Sequence, residues 1–492
     1  MEVKGVGGMR SEKSKSSLWL ILPLFLTVSC NYQIEVHQKR GPTESTATAT
    51  PTPVPYTQMS YSLAGESGSS NLDIPSCLVT DPADGSRYFV VPTTGPYTVG
   101  GTTYTPTSST ALVLEKVSRD GTLQWSKFIL DDGGFLGLIL NTYLSPCMTL
   151  ADGKIFLAII TQASSLTIDS FSEPLIGNTD SYILGFNTAD GSLAQHQHFG
   201  ASGSLYYIFG LVHDGNTLYW SGVSTDSSIT GPTPADCSFG CAIYGASDAH
   251  TGSLLWSRRW NSSSEGTSNG YGIAIGENHD LYLTGLYAGS GIDPGIGATR
   301  SSGSLSTRNG YIEKVSTTDG TPIWIREVTS STNDIVTGAS VQSDQNDSVY
   351  FSLSTNNSTD ITIEGGGASS SDSKHWIISY DRDGNFRWVT GLPSTYFQTS
   401  LLYDPTYHRL FASCASGETT TLPILFQLDP SDGGTLKTDT VTGDNSGVLT
   451  FGLALDPSVS GLVALGLAVN TSTYEDQTIE AGARSSILME WK

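Results

Sequence analysis

His196 and His198 stand two residues apart, so a strand directs both imidazoles to one side, and paired histidines at that spacing are half of a metal site. No third ligand is evident beside them, and on an outer strand solvent exposure is the reading preferred. Asp381-Arg382-Asp383-Gly384-Asn385 begins like a calcium loop but lacks the remaining acidic ligands, and it fits a hairpin turn instead. Asp476 and Glu480 are an isolated acid pair that sequence alone does not bring into convergence. There is no Gly-x-Ser-x-Gly elbow, His-Glu-x-x-His helix, phosphate-binding glycine loop or Cys-x-x-Cys-His haem site. No catalytic, cofactor-binding or metal residue is therefore assigned, no cofactor is expected, and the balance is against an enzyme.

The elements that position these residues belong to a repeat. Its fullest copy runs Ala246-Ser-Asp248-Ala-His250-Thr251-Gly252-Ser-Leu-Leu-Trp256: a strand, a tight turn with glycine free to take φ > 0, and a second strand. The turn recurs as Asp120-Gly121, Asp190-Gly191, Asp319-Gly320, Asp383-Gly384 and Asp432-Gly433, at glycine intervals of 70, 61, 68, 64 and 49 residues. Periods this long, with several strands inside each, read as propeller blades and not as a helical solenoid. Four residues after the glycine stands Trp125, Trp256, Trp324 or Trp388, with Gln195 at that place in the second repeat.

Each repeat divides into four strands, as in 207–213, 217–223, 242–248 and 254–260. The last has only three, 450–455, 462–468 and 485–491, and 57–63 at the other end of the chain supplies the fourth. The expectation is an all-β, seven-bladed β-propeller of four-stranded antiparallel blades, closed by pairing of the N- and C-terminal strands, with eight blades as the runner-up. Closure removes a free sheet edge.

Cys77 and Cys147 occupy matching places on consecutive inner strands. They could face one another or be small buried packing residues, and packing is preferred. Cys237 and Cys241 could close a local disulfide in an oxidising compartment. With Cys30 and Cys414 the count leaves an odd cysteine once Cys30 is set aside.

Lys4, Arg10, Lys13 and Lys15 precede an apolar run from Leu18 to Val28, too short to span a bilayer but suited to a signal-peptide core. Leu26-Thr27-Val28-Ser29-Cys30 resembles the lipobox of bacterial lipoproteins, in its relaxed spirochaetal version because Thr27 replaces the usual leucine. The resemblance implies cleavage before Cys30 and lipid attachment to it. Three segments follow: a signal peptide (1–29), a lipidated cysteine with a Thr/Ser/Pro-rich tether (30–55) that cannot bury enough apolar surface to order itself, and the propeller (56–492).

Without residues 1–29 the chain keeps 20 basic and 45 acidic groups, a net charge of −25. That argues against nucleic acid, and against holding an anionic membrane by charge.

Ala246-x-Asp248-x-x-Thr251-Gly252-x-x-x-Trp256 resembles the tryptophan-docking motif of the quinoprotein-like (PQQ-like) propellers. The paired inner strands, as in Asp280-Leu-Tyr-Leu-Thr-Gly285 and Thr217-Leu-Tyr-Trp-Ser-Gly222, look like the SBBP-type bacterial repeat. The resemblance implies structural blade-docking roles for Trp125, Asp248, Thr251, Gly252, Trp256, Trp324 and Trp388. It also includes quinone-dependent dehydrogenases, but the adjacent cysteines of many such enzymes are missing here.

Alternating strand direction places two sets of long connections on one face, among them 92–109, 164–179, 224–240, 288–309 and 356–373. Loops held by a rigid scaffold are where recognition resides. The reading is a lipid-anchored scaffold at the bacterial outer membrane or cell surface that binds an envelope or extracellular protein or a glycan through this face, with membrane contact through lipid on Cys30. The alternatives are a role like the non-enzymatic outer-membrane assembly lipoproteins, and a propeller enzyme acting on a glycan or small molecule.

Overall fold

The computed structural model describes residues 58–62 and 76–491, apart from 94, 107–110, 132–135, 138–146, 163, 233–236, 263–265, 277, 331–334, 345, 347, 357–359, 371–373, 393–398, 415–420, 444–447, 457–460, 469–470, 475–476 and 481–484. The proposed signal peptide, Cys30, the tether and Asp476 lie outside the described residues. No helix occurs among the described residues.

The third repeat shows how the sequence makes a sheet. Tyr206–Asp214, Thr217–Ser224, Cys241–Asp248 and Leu254–Arg259 pair antiparallel in chain order. The two middle strands are buried almost throughout, whereas the last opens on exposed Leu254 and Leu255. Middle strands are covered by neighbouring sheets on both faces, so they read as continuous apolar runs and not as an alternation.

The third and fourth strands are joined by the recurrent turn, whose glycine takes φ +84° at Gly121, +69° at Gly191, +74° at Gly252, +71° at Gly320, +78° at Gly384 and +76° at Gly433. This left-handed conformation is nearly free for glycine and strained for any residue with a Cβ. Just beyond each turn the pairing skips one residue of the fourth strand. Ala246 faces Trp256 and Ser247 faces Leu254, so Leu255 is extruded. Gln124, Ala194, Ile323, Arg387 and Leu436 are passed over in the same way. This β-bulge re-aims the strand, and it accounts for the exposure of Leu255, Ile323 and Leu436 to solvent.

Successive sheets meet through their first strands. Ser76–Thr80 packs on Met148–Ala151, that on Tyr206–Asp214, and so on through Gly266–Ile275, Val336–Ser343, Thr399–Asp404 and Val448–Asp456, which returns to Ser76–Thr80. A ring of sheets joined by their inner strands is the propeller arrangement. The last sheet runs Val448–Asp456, Gly461–Ala468, Ser485–Trp491 and then Gln58–Ser62, paired from Gln58 opposite Trp491 to Ser62 opposite Ile487.

Uniform four-stranded sheets require correction, because three sheets carry six strands. The hairpin Ser165–Ile168 and Phe171–Pro174 adds to strand Leu123–Asp131 of the preceding sheet, with Ile168 opposite Ile129. Asp360–Ile363 and Gly367–Ser370 add in the same way to Pro322–Ser330, and Thr471–Tyr474 and Gln477–Glu480 to Thr435–Gly443. Two of the long connections expected to be recognition loops, 164–179 and 356–373, thus contain strands that cover a neighbour's open edge. A third, 92–109, holds the ribbon Tyr97–Val99 and Thr102–Tyr104.

Candidate functional site

The fourth-strand tryptophans sit where the bulge aims them, against the turn of the next repeat. Each indole N–H donates to a carbonyl there: Trp125 to Thr188 at 3.1 Å, Trp256 to Thr317 at 3.1 Å, Trp324 to Arg382 at 2.8 Å and Trp388 to Pro430 at 3.0 Å. The indoles lie on the turn glycines so closely that a Cβ on Gly191, Gly320, Gly384 or Gly433 would stand 2.5 to 2.9 Å from a ring carbon. Two residues further on, a second side chain grips the same turn. Arg258 donates to Asp319 O at 2.9 Å, Arg326 to Gly384 O at 2.7 Å and Thr390 to Gly433 O at 2.8 Å. Its constant offset from the tryptophan is the signal by which the sequence carries this clasp. In the second repeat, Gln195 occupies the tryptophan's place and its Nε2 lies near Gly252.

Asp248 and Thr251 shape the turn. Asp248 Oδ1 accepts from the His250 amide at 2.9 Å, the Thr251 amide at 2.7 Å and the Thr251 hydroxyl at 3.0 Å. These hydrogen bonds hold the exposed Asp248 carboxyl below its ordinary range, with the Thr251 amide the largest cause. The supposed calcium loop is another copy of the turn, with Asp381 Oδ1 accepting from the Asp383 amide at 2.9 Å and the Asn385 amide at 2.8 Å.

On the long-connection face, side chains fasten the connections to the sheets. Arg259 reaches Ile229 O at 2.8 Å and Pro232 O at 3.2 Å, and a Cys237–Cys241 disulfide closes the same connection. Asn261 and Asp293 form a β-bridge between the third and fourth repeats. Arg300 joins Glu327 at 3.3 Å to Glu364 of the next repeat's hairpin at 3.1 Å, and the Glu327 amide also donates to Glu364 at 3.0 Å.

The histidine pair lies at the rim of this face; His196 is exposed, as expected, whereas for His198 the expectation of solvent exposure is corrected. His198 is largely buried, between Asp180 and Glu173. Its Nε2 is 2.6 Å from Asp180 Oδ2 and its Nδ1 is 3.2 Å from Glu173 Oε1. His196 Nε2 is 3.1 Å from Glu173 Oε2. Tyr182 stacks on His198 at 4.1 Å, and Phe171 tilts on His196 at 4.6 Å. Glu173 comes from the hairpin and Asp180 from the head of the third strand, so only the fold assembles the cluster. The four groups form a chain of alternating imidazole and carboxylate that can hold and move protons. Among the described residues, no group of three or more His, Cys, Asp or Glu is arranged to hold a metal ion.

Cys77 and Cys147 form a disulfide with Cα atoms 5.5 Å apart, which corrects the preference for packing and ties the first inner strand to the second.

No family model matches the sequence, and no curated protein matches it. Among solved structures, an ulvan lyase from a new family of polysaccharide lyases is similar at 10% identity and a TM-score of 0.47, over 84% of this chain and 95% of that one. The Dos1 propeller is similar at 9% identity and 0.40, over 88% and 94%. A quinohemoprotein alcohol dehydrogenase from Pseudomonas putida is similar at 10% and 0.40, over 88% and 75%. At these TM-scores the likenesses carry no argument about activity.

Proposed function

We propose that this chain is a seven-bladed propeller of quinoprotein-like type, anchored by lipid on Cys30 at the bacterial outer membrane or cell surface, and that it serves as a non-enzymatic scaffold for an envelope or extracellular protein or a glycan. The observation that carries the reading is the set of three hairpins that leave one sheet and add to the edge of the preceding one on the long-connection face. They turn flexible loops into a surface fixed to two sheets at once. A partner binding there pays less ordering entropy than it would on free loops.

The blade count is supported by the ring of first strands and by the pairing of Gln58–Ser62 with Ser485–Trp491. The anchor is supported by the charged, apolar and Cys30-terminated leader and by the polar tether after it.

The test is affinity capture from intact envelopes with the full chain and with Ser172→Arg/Thr362→Arg, whose positions are exposed on two of the hairpins. The expected result is one partner recovered by the native chain and lost by the double variant. Equal recovery by both would overturn the assignment of this face. The anchor is tested by the mass of the mature N-terminus with and without Cys30→Ala, and an unmodified chain retaining residues 1–29 would contradict it.

A further inference from the structure

We propose that His198 is a proton-operated clasp, which fastens the hairpin Ser165–Ile168 and Phe171–Pro174 to the second sheet while its ring is doubly protonated and releases it when the ring becomes neutral. The ring makes two contacts, one at each nitrogen. Asp180 Oδ2 stands at Nε2 and Glu173 Oε1 at Nδ1, at 2.6 and 3.2 Å. A neutral imidazole has one N–H, so both contacts are hydrogen bonds only in the imidazolium form. After deprotonation, a ring lone pair faces a carboxylate oxygen.

The carboxylate that yields is set by the surroundings. Asp180 is fully buried, its two oxygens accept from the Ile176 amide at 2.7 Å and the Gly177 amide at 2.9 Å, and Gly200 lies against its carboxyl. Glu173 belongs to the hairpin and is held at the rim by the two imidazoles. Loss of the proton therefore loosens Glu173, and with it the hairpin that also covers the edge of strand Leu123–Asp131.

The titratable groups around the ring are few. His196 is its neighbour on the fourth strand, Tyr182 stacks on it from the third, and Glu173 faces it from the hairpin, whose turn residue Asp169 pairs with Lys127 of the preceding sheet at 3.1 Å. Beyond Asp180 lies Tyr206, which donates to Asp226. Burial alone pulls the His198 pKa down, but the hydrogen bonds and charges of Asp180 and Glu173 outweigh it, and the net shift is upward. The clasp is therefore fully closed below the ordinary histidine range and is lost as pH rises through the raised value.

The test is hydrogen exchange of residues 166–173 in the full chain from pH 6 to 9, expressed as protection factors, together with the imidazole 15N shifts of His198. The hairpin Asp360–Ile363 and Gly367–Ser370, pinned by Glu364 and Arg300, is the internal control. Protection of 166–173 should fall by up to about tenfold per pH unit within the titration of His198, the limit for one linked proton, while the control stays flat. His198→Gln should remove the dependence and hold the hairpin at its alkaline protection, whereas His196→Gln should keep the dependence. A flat profile in the native chain, dependence that survives His198→Gln, or a neutral His198 ring at pH 6 would each overturn the proposal. Should His198→Gln fail to fold, Glu173→Gln at the rim and the native 15N titration still decide it.

Discussion

The indole of Trp256 in the third repeat lies on the backbone of Gly320 in the fourth, so that a Cβ at position 320 would come within 2.5 Å of ring carbon Cζ3. Three locally encoded features meet at this contact. The bulge at Leu255 aims the ring, the φ of +71° at Gly320 opens the turn, and the indole N–H finds Thr317 O. The same combination recurs from the first repeat to the second and from the fourth through the sixth, which makes it the joint between adjacent sheets.

Gly320→Ala is expected to destabilise the protein by about 2–4 kcal/mol, from left-handed strain and collision with the indole together. Gly297→Ala, at φ +74° with nothing within 4 Å of the new Cβ, should cost only about 1 kcal/mol. Denaturant midpoints of the two variants separate the clash from the backbone term.

Trp256→Phe keeps an aromatic ring but leaves Thr317 O without its donor. A loss of about 1–2 kcal/mol is expected, mostly from the unmade hydrogen bond. Arg258→Met, which removes the neighbouring donor to Asp319 O on the same turn, should couple to it in a double-mutant cycle. Simple additivity would contradict a shared joint.

Glu115 and Glu313 occupy equivalent third-strand positions in the first and fourth repeats, three residues before the serine that opens each turn. Burial pushes Glu115 up to about 7 and Glu313 up to about 8, against the donors Tyr97 Oη at 2.7 Å and Trp260 Nε1 at 2.9 Å. Between the ordinary carboxylate range and these raised values, both are protonated in the folded protein and ionised in the unfolded chain. Their stabilising linkage is complete below about pH 4.5 and is lost as pH rises through 7 and 8. Buried His375, held down to about 4, opposes this trend up to the ordinary histidine range. Stability measured by denaturant should therefore decline between about pH 6.5 and 8, and Glu115→Gln with Glu313→Gln should flatten the decline.

Reduction should affect the two disulfides unequally. Cys77 and Cys147 are 70 residues apart and Cys237 and Cys241 are 4 apart. Chain entropy assigns about 4 kcal/mol to the first cross-link and about 2 kcal/mol to the second. Cys77→Ser/Cys147→Ser should thus lower the denaturation midpoint more than Cys237→Ser/Cys241→Ser does.

The strands and their joints were legible in the sequence because each depends on neighbours in the chain: apolar runs, a glycine free to take positive φ, and a tryptophan at constant offset. Other features depend on residues brought together from a distance. Ile361 and Ile363 sit in a Gly/Ser-rich stretch that reads as loop, and they become a strand only when Pro322–Ser330 offers an open edge. His198 meets Glu173 and Asp180 across such an addition, so its partners have no fixed spacing to read. The bulges were missed because one skipped residue, such as Leu255, leaves no mark in a pattern of alternating exposure.

The most direct test of the scaffold account is site-specific photo-crosslinking in intact envelopes. One probe is placed at Ser172 on the long-connection face, and the other at exposed His250 in a third-repeat turn on the opposite face. The account predicts that one partner is captured from Ser172 and not from His250. Capture from His250 alone, or from both positions equally, would contradict it.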